Sequence, residues 1–187
     1  MKPDKNFIRS LQRHCAQVSI TTSAVRNQGA KGLIAIARNY AEADIKLSEF
    51  FRALRNERTY RRFLDHHTNA LVGRFPPDAR SWGAARKALN LFFRELVYNA
   101  VLAEHFGLPR EFSKYNAAIQ PLEIPLDKEV GTHLYRAPGM KLKRWTTIKS
   151  LTPERSDAYQ RKASIIAQQK NLVRIHLDLD YWRAVVK

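Results

Sequence analysis

WGAARKALNLFFRELVYNAVLAEHFG, residues 82–107, decides the fold class. Its apolar residues recur every three or four positions, the repeat of one face of an α-helix. Ser81 stands where a hydroxyl can accept an orphan amide of the first turn, and Gly107 with Pro109 supplies the stop. The spacing predicts one long helix across the stretch.

Working outward, the same period returns on both sides. Residues 5–19 carry Phe7, Ile8, Leu11, Cys15 and Val18 on a helical stripe. TTSAVRNQGAKGLIAIARNYAEA, residues 21–43, reads as two helices parted by Gly29 and Gly32. KLSEFFRALR opens another helix with Ser48 as its expected cap, and RTYRRFLDHHTNALVGRF runs on to the break at Pro76 and Pro77. On the C-terminal side, residues 108–126 are punctuated by prolines and read as irregular. Helix resumes near Asp127. Thr152 as cap, Pro153 at the first helical position and an acidic first turn mark the next helix, and a short last helix follows VRIHLD. VRIHLDL alternates, but one such segment cannot make a sheet. The expectation is an all-α fold, one compact helical domain over residues 1–187.

Composition bounds the function. The chain has 33 Lys and Arg against 17 Asp and Glu, a formal charge of +16, with 44% hydrophobic residues. That apolar content is enough for a packed core, and the charge excess is the footprint of a polyanionic partner, with nucleic acid the first expectation. No apolar run is long enough to span a membrane, and the N-terminal residues lack the apolar core of a secretory signal. The single cysteine, Cys15, excludes an internal disulfide and a cysteine-based zinc site. No metal and no cofactor is expected, and the expected location is cytoplasmic.

Four constellations can carry chemistry. In QPLEIPLDKEVG, residues 120–131, Pro125 forces an extended approach and Asp127 takes the N-cap position of a helix. The cap alone explains an aspartate there; the same amides and helix dipole also favour an ionised carboxylate, able to stabilise positive charge on a sugar. On the central helix, Lys87 shares a face with Gly83, Ala84, Asn90, Leu91 and Arg94. Such a lysine either snorkels at the surface or, if desolvated, becomes a nucleophile able to form a Schiff base. Arg94 suits a phosphate or a carboxylate. In VRIHLDLDYWR, Asp178 is expected just before the last helix with Trp182 one turn on, an acceptor and an aromatic plate able to read a base, or else a cap and a core tryptophan. His176 and Asp180 resemble metal ligands in type only. Finally, Asn27 and Gln28 meet two glycines in a turn flanked by Arg26 and Lys31, either a loop wedged into a duplex or an ordinary elbow.

Taken in order, these pieces resemble the helix-hairpin-helix (HhH-GPD) DNA glycosylase superfamily, most of all its archaeal 8-oxoguanine (GO) glycosylase branch. The likeness rests on Lys87, on the cation Arg94 seven residues later, on IPLD ending in Asp127, and on HLDLDYW with Asp178 and Trp182. RNQGAKG is similar to the glutamine-containing loop that many members insert into DNA. The resemblance implies Lys87 and Asp127 as catalytic residues, Gln28, Asp178 and Trp182 as base contacts, and Arg26, Asn27, Lys31 and Arg94 as DNA contacts. It implies helices flanking a DNA-binding cleft and excision of a flipped base. The interval from Lys87 to Asp127 is longer than the family's, Arg94 stands in place of a lysine, and residues 107–126 contain no LPGVG-type hairpin. The chain is similar as well to compact glycosylases of antiphage defence. Two substrate classes therefore stay open: an oxidised purine such as 8-oxoguanine, or a hypermodified base such as glucosylated hydroxymethylcytosine in phage DNA. Attack by Lys87 would add AP-lyase activity through a Schiff base; a positioned water would leave an intact abasic strand. A non-catalytic basic helical DNA-binding protein explains the charge and the helices equally, and an RNA-binding factor is a third reading.

Overall fold

The computed structural model describes residues 3–25 and 30–184, with side chains described through Tyr181. Every regular element among the described residues is helical, and none is a strand. The α-helices are α1 (Lys5–Ser19), α2 (Thr22–Val25), α3 (Leu33–Ala43), α4 (Leu47–Ala53), α5 (Glu57–Arg74), α6 (Trp82–Tyr98), α7 (Ala100–His105), α8 (Phe112–Ile119), α9 (Lys128–Arg136), α10 (Pro153–Gln169) and α11 (Leu177–Ala184).

Helix α6 is the axis of the molecule. It packs against α1, α2, α3, α5 and α7, and its residues from Gly83 to Asn90 are all buried. Small side chains permit that density: Gly83, Ala84, Ala85 and Ala88 let neighbouring backbone approach closely. At Gly83 a Cβ would sit only 2.3 Å from the carbonyl oxygen of Ile148. Ser81 caps the helix as its position predicts, accepting from the Ala84 amide.

The expected single helix over 82–107 is in fact two. Asn99 adopts an extended conformation (φ −73°, ψ 109°) and turns its side chain to accept from the Leu102 amide, so it caps α7 instead of continuing α6. Residues 108–126 are also less irregular than their prolines suggest. They contain α8, whose Ile119 is buried in the main core and whose Tyr115 hydroxyl donates to Val97 O. Ser48 is not a cap: it lies inside α4, which Lys46 precedes in extended conformation. On α1 the buried face runs through Gln12, Cys15, Ala16 and Ser19, while Phe7 and Val18 of the predicted stripe are 49% and 45% exposed. Gln12 earns that burial by donating to the carbonyls of Ala41 and Ile45 at the end of α3.

Two apolar clusters form the interior. The larger is built on α1 to α8 and includes Phe50, Tyr60, Phe92, Phe93 and Leu122. The smaller gathers Ile124, Leu126, Val130, Trp145, Tyr159 and Leu177 from the α9 to α11 half. Ile148 packs against both. The segment 121–127 crosses from one cluster to the other, and Lys87 and Asp127 meet at this seam.

Candidate active site

The strap that carries Asp127 is held at four consecutive residues, 121–124. Arg174 donates to the carbonyls of Pro121 and Leu122, at 2.8 and 2.7 Å. The Gln160 amide brackets Ile124, accepting from its N–H at 3.0 Å and donating to its carbonyl at 2.8 Å. Between them Glu123, 6% exposed, is gripped by Arg86, whose Nε and Nη2 reach its two carboxylate oxygens at 2.9 and 2.7 Å. Asn90 adds a third donor to Glu123. Arg86 is itself buried, stacks on Trp82, and bonds Asp65 and Thr68. Burial alone would push the Glu123 carboxyl up; the Arg86 guanidinium, with Arg174 and Asn90, outweighs it and holds the group below the usual carboxylate range. Extended backbone that would otherwise wander is thereby fixed by side chains from α6, α10 and the turn before α11.

Asp127 follows directly. One carboxylate oxygen, Oδ1, accepts from the amides of Glu129 and Val130 at 3.0 and 2.9 Å, the bonds of an N-cap. The second oxygen, Oδ2, faces α6 and lies 3.5 Å from Lys87 Nζ, an ion-pair distance. Cap and charge are therefore not alternatives: one oxygen fixes the group and the other presents it. Lys87 is 8% exposed and does not snorkel. Its ammonium also donates to Ser23 O in α2 at 2.8 Å, so the amine is oriented from two sides. Asp127 keeps 26% of its side chain accessible and Lys87 9%, so the carboxylate is the more exposed partner of the pair.

The remaining expected residues divide. Arg94 pairs with Asp178 in a partly buried ion pair, and Asp178 is 3% exposed. The cation and the carboxylate assigned by sequence to phosphate and base thus occupy each other. Asp178 sits in the first turn of α11, after a short 3-10 turn at Arg174–His176, and not ahead of the helix. Trp182 follows one turn later in the same helix; its side chain lies outside the described residues. Arg26, Asn27 and Gln28 lie outside them as well. Lys31 is exposed and lines a cleft of about 730 Å3 with Arg13, Thr22 and Arg38, between α1, α2 and α3. This cleft is not at the Lys87–Asp127 pair.

His176, one of the residues resembling a metal ligand, has both ring nitrogens in hydrogen bonds. Nδ1 meets the Tyr98 hydroxyl at 2.6 Å and Nε2 meets Asn116 Oδ1 at 2.9 Å, and burial lowers its pKa. Because Asn116 Oδ1 can only accept, Nε2 carries the proton and Nδ1 accepts from Tyr98. Asp180 is paired with Lys170.

Sequence reasoning missed the Arg86–Glu123 pair. Its one signal was a glutamate inside the proline-bracketed apolar run PLEIPL, where an unpaired carboxylate would be costly. No helix among the described residues is long and apolar enough to cross a membrane. No family model, no curated protein and no solved structure matches this chain.

Proposed function

We propose that this chain is a DNA glycosylase of the helix-hairpin-helix type, which excises a damaged or modified base from double-stranded DNA. The observation that carries the reading is the approach of Lys87 Nζ to 3.5 Å from Asp127 Oδ2 while the other oxygen of Asp127 is locked in a helix cap. A carboxylate restrained in this way needs no reorganisation when positive charge develops beside it. The charge of +16 supplies the attraction for phosphates.

In the proposed reaction the target nucleotide is extruded and its sugar meets the Lys87–Asp127 pair. The C1′–N bond breaks, its electron pair leaves with the base, and the base takes up a proton. Asp127 Oδ2 stabilises the oxocarbenium-like sugar, and the proton that Lys87 must shed before its lone pair can attack C1′ is the one that passes to the departing base. Opening of the resulting N,O-acetal, with O4′ taking up a proton, gives a Schiff base, from which removal of a C2′ proton and loss of the 3′ phosphate cut the strand. If water attacks instead, an abasic site remains. The Arg94–Asp178 pair would have to open, or offer its outward edge, to read the extruded base; Gln28, with Arg26 and Asn27, would occupy the vacated stack.

The test is release of free base, followed by mass spectrometry, from duplexes bearing oxidised guanine and from phage DNA carrying modified cytosines. Borohydride is added in parallel to trap an imine. Release from one class, abolished in Lys87→Ala, supports the reading and identifies the substrate. DNA binding without release from any of these substrates leaves the non-catalytic DNA-binding protein as the better account.

A further inference from the structure

Among the described residues the buried lysine and arginine side chains are Arg86, Lys87 and Lys162, and they are not equivalent. Arg86 and Lys87, like the partly buried Arg94, each face a carboxylate: Glu123, Asp127 and Asp178 respectively. Lys162 is 2% exposed and has no carboxylate partner among the described residues. Its amine donates to one backbone oxygen, that of Ala137 at 2.5 Å, the residue that ends α9. An ammonium carries three N–H donors, and a helix-end carbonyl takes one. Burial lowers the pKa of this amine, as expected for a cation without a counter-anion.

Lys162 lines a cleft of about 470 Å3 bounded by the end of α9, the bend at residues 138–140, and helices α10 and α11. This is the size of a small-ligand site. One wall is aromatic: the His133 and Tyr181 rings stack with centroids 4.8 Å apart and planes 2° from parallel. Ile165, Ile166 and Met140 add apolar surface, and Ile165 is 47% exposed although it borders the cleft. Gly139, at φ +89°, makes the bend that closes one side. The Lys170–Asp180 ion pair is self-neutralised at 2.8 Å, which leaves Lys162 as the uncompensated charge.

A cation lacking an anion, an aromatic wall and apolar sides in one enclosure of nucleotide size specify a ligand class. We propose that this cleft binds a planar aromatic anion of mononucleotide size, with Lys162 as counter-cation and the His133–Tyr181 stack as the surface its ring lies against. It is separate from the Lys87–Asp127 pair, which sits at the opposite end of α9, and it does not depend on the glycosylase reading. A flat ring gains by stacking and its anion by meeting an ammonium that faces no carboxylate among the described residues, so each half alone should bind weakly.

The experiment is calorimetric titration with deoxyguanosine monophosphate, deoxyguanosine and inorganic phosphate at fixed ionic strength. The monophosphate should bind at least tenfold more tightly than either fragment. Lys162→Met, which keeps the stem and removes the charge, should weaken it at least tenfold. Ile165→Glu, at a half-exposed border position that folding tolerates, should do the same. Asp127→Asn should leave it unchanged. Phosphate binding as tightly as the nucleotide would reduce the effect to general attraction by a basic surface and overturn the proposal. So would the absence of heat with any probe, affinity indifferent to both cleft substitutions, or affinity that depends on Asp127.

Discussion

Removing the Arg86 guanidinium tests the construction beneath the candidate site. In Arg86→Met, Glu123 keeps its burial and the Asn90 donor but loses both charged bonds, at 2.9 and 2.7 Å. Breaking a buried pair by deleting one partner costs about 3–5 kcal/mol, because the surviving charge is left in a poorly solvating interior. The half-exposed Asp65 contributes little, since water replaces its lost bond. For a chain of this length the loss corresponds to a fall in melting temperature of roughly 6–20 °C. The pH dependence has a definite sign. Glu123 has its carboxyl depressed in the folded protein, so its contribution is present above the unfolded value of about 4.3 and is lost as pH falls through the lower folded value. In Arg86→Met burial is no longer outweighed and Glu123 takes up a proton more readily, so the gap to the parent protein narrows in acid. Urea denaturation at pH 7 and pH 4 measures both effects. The double variant Arg86→Met/Glu123→Gln should be less destabilised than the two single losses added together. A loss under about 1 kcal/mol, or strict additivity, would refute the claim that this pair anchors the strap.

Two further outcomes follow from packing and titration. His67, buried and bonded through Nδ1 to the Tyr40 hydroxyl at 2.7 Å, has its pKa lowered to about 4, chiefly by burial and then by His66. Its neutral form is favoured in the folded state, so stability falls as pH drops from about 6.5 toward 4; an NMR titration of the ring should give the low value, and His67→Gln should flatten the slope. Gly83→Ala places a methyl group 2.3 Å from Ile148 O and 2.9 Å from Leu151 Cβ, so it should cost about 1–3 kcal/mol in a thermal melt, and an unchanged melting temperature would contradict the close approach.

Local chemistry was legible in the sequence and long-range pairing was not. The caps at Ser81, Asp127 and Thr152 are all where side-chain type and neighbouring proline or helix former place them, because a cap is decided within four residues. The all-helical class follows from apolar period for the same reason. The break at Asn99 escaped that reading because its residues keep the helical period while one side chain diverts the backbone. Helix α8 escaped because it is only eight residues long and its N-cap residue Glu111 makes no side-chain cap bond. The nearness of Lys87 and Asp127 was carried only by the order of motifs, since no periodicity links α6 to the strap. The burial of Lys162 and the mutual pairing of Arg94 with Asp178 had no local signal, because both depend on how distant helices pack.

The most direct measurement compares Asp127→Asn with Asp127→Ala in single-turnover base release on a substrate that the parent protein cleaves, alongside duplex-binding affinity and melting temperature. Asparagine keeps a cap acceptor for the amides of Glu129 and Val130 and removes the charge facing Lys87, whereas alanine removes both. The account predicts that both variants lose base release and retain duplex binding; both leave Lys87 without this carboxylate, and alanine, which loses the cap as well, should be about 1 kcal/mol less stable than asparagine. Full release by Asp127→Asn would show that the carboxylate serves the helix alone, and the proposed chemistry would fall with it.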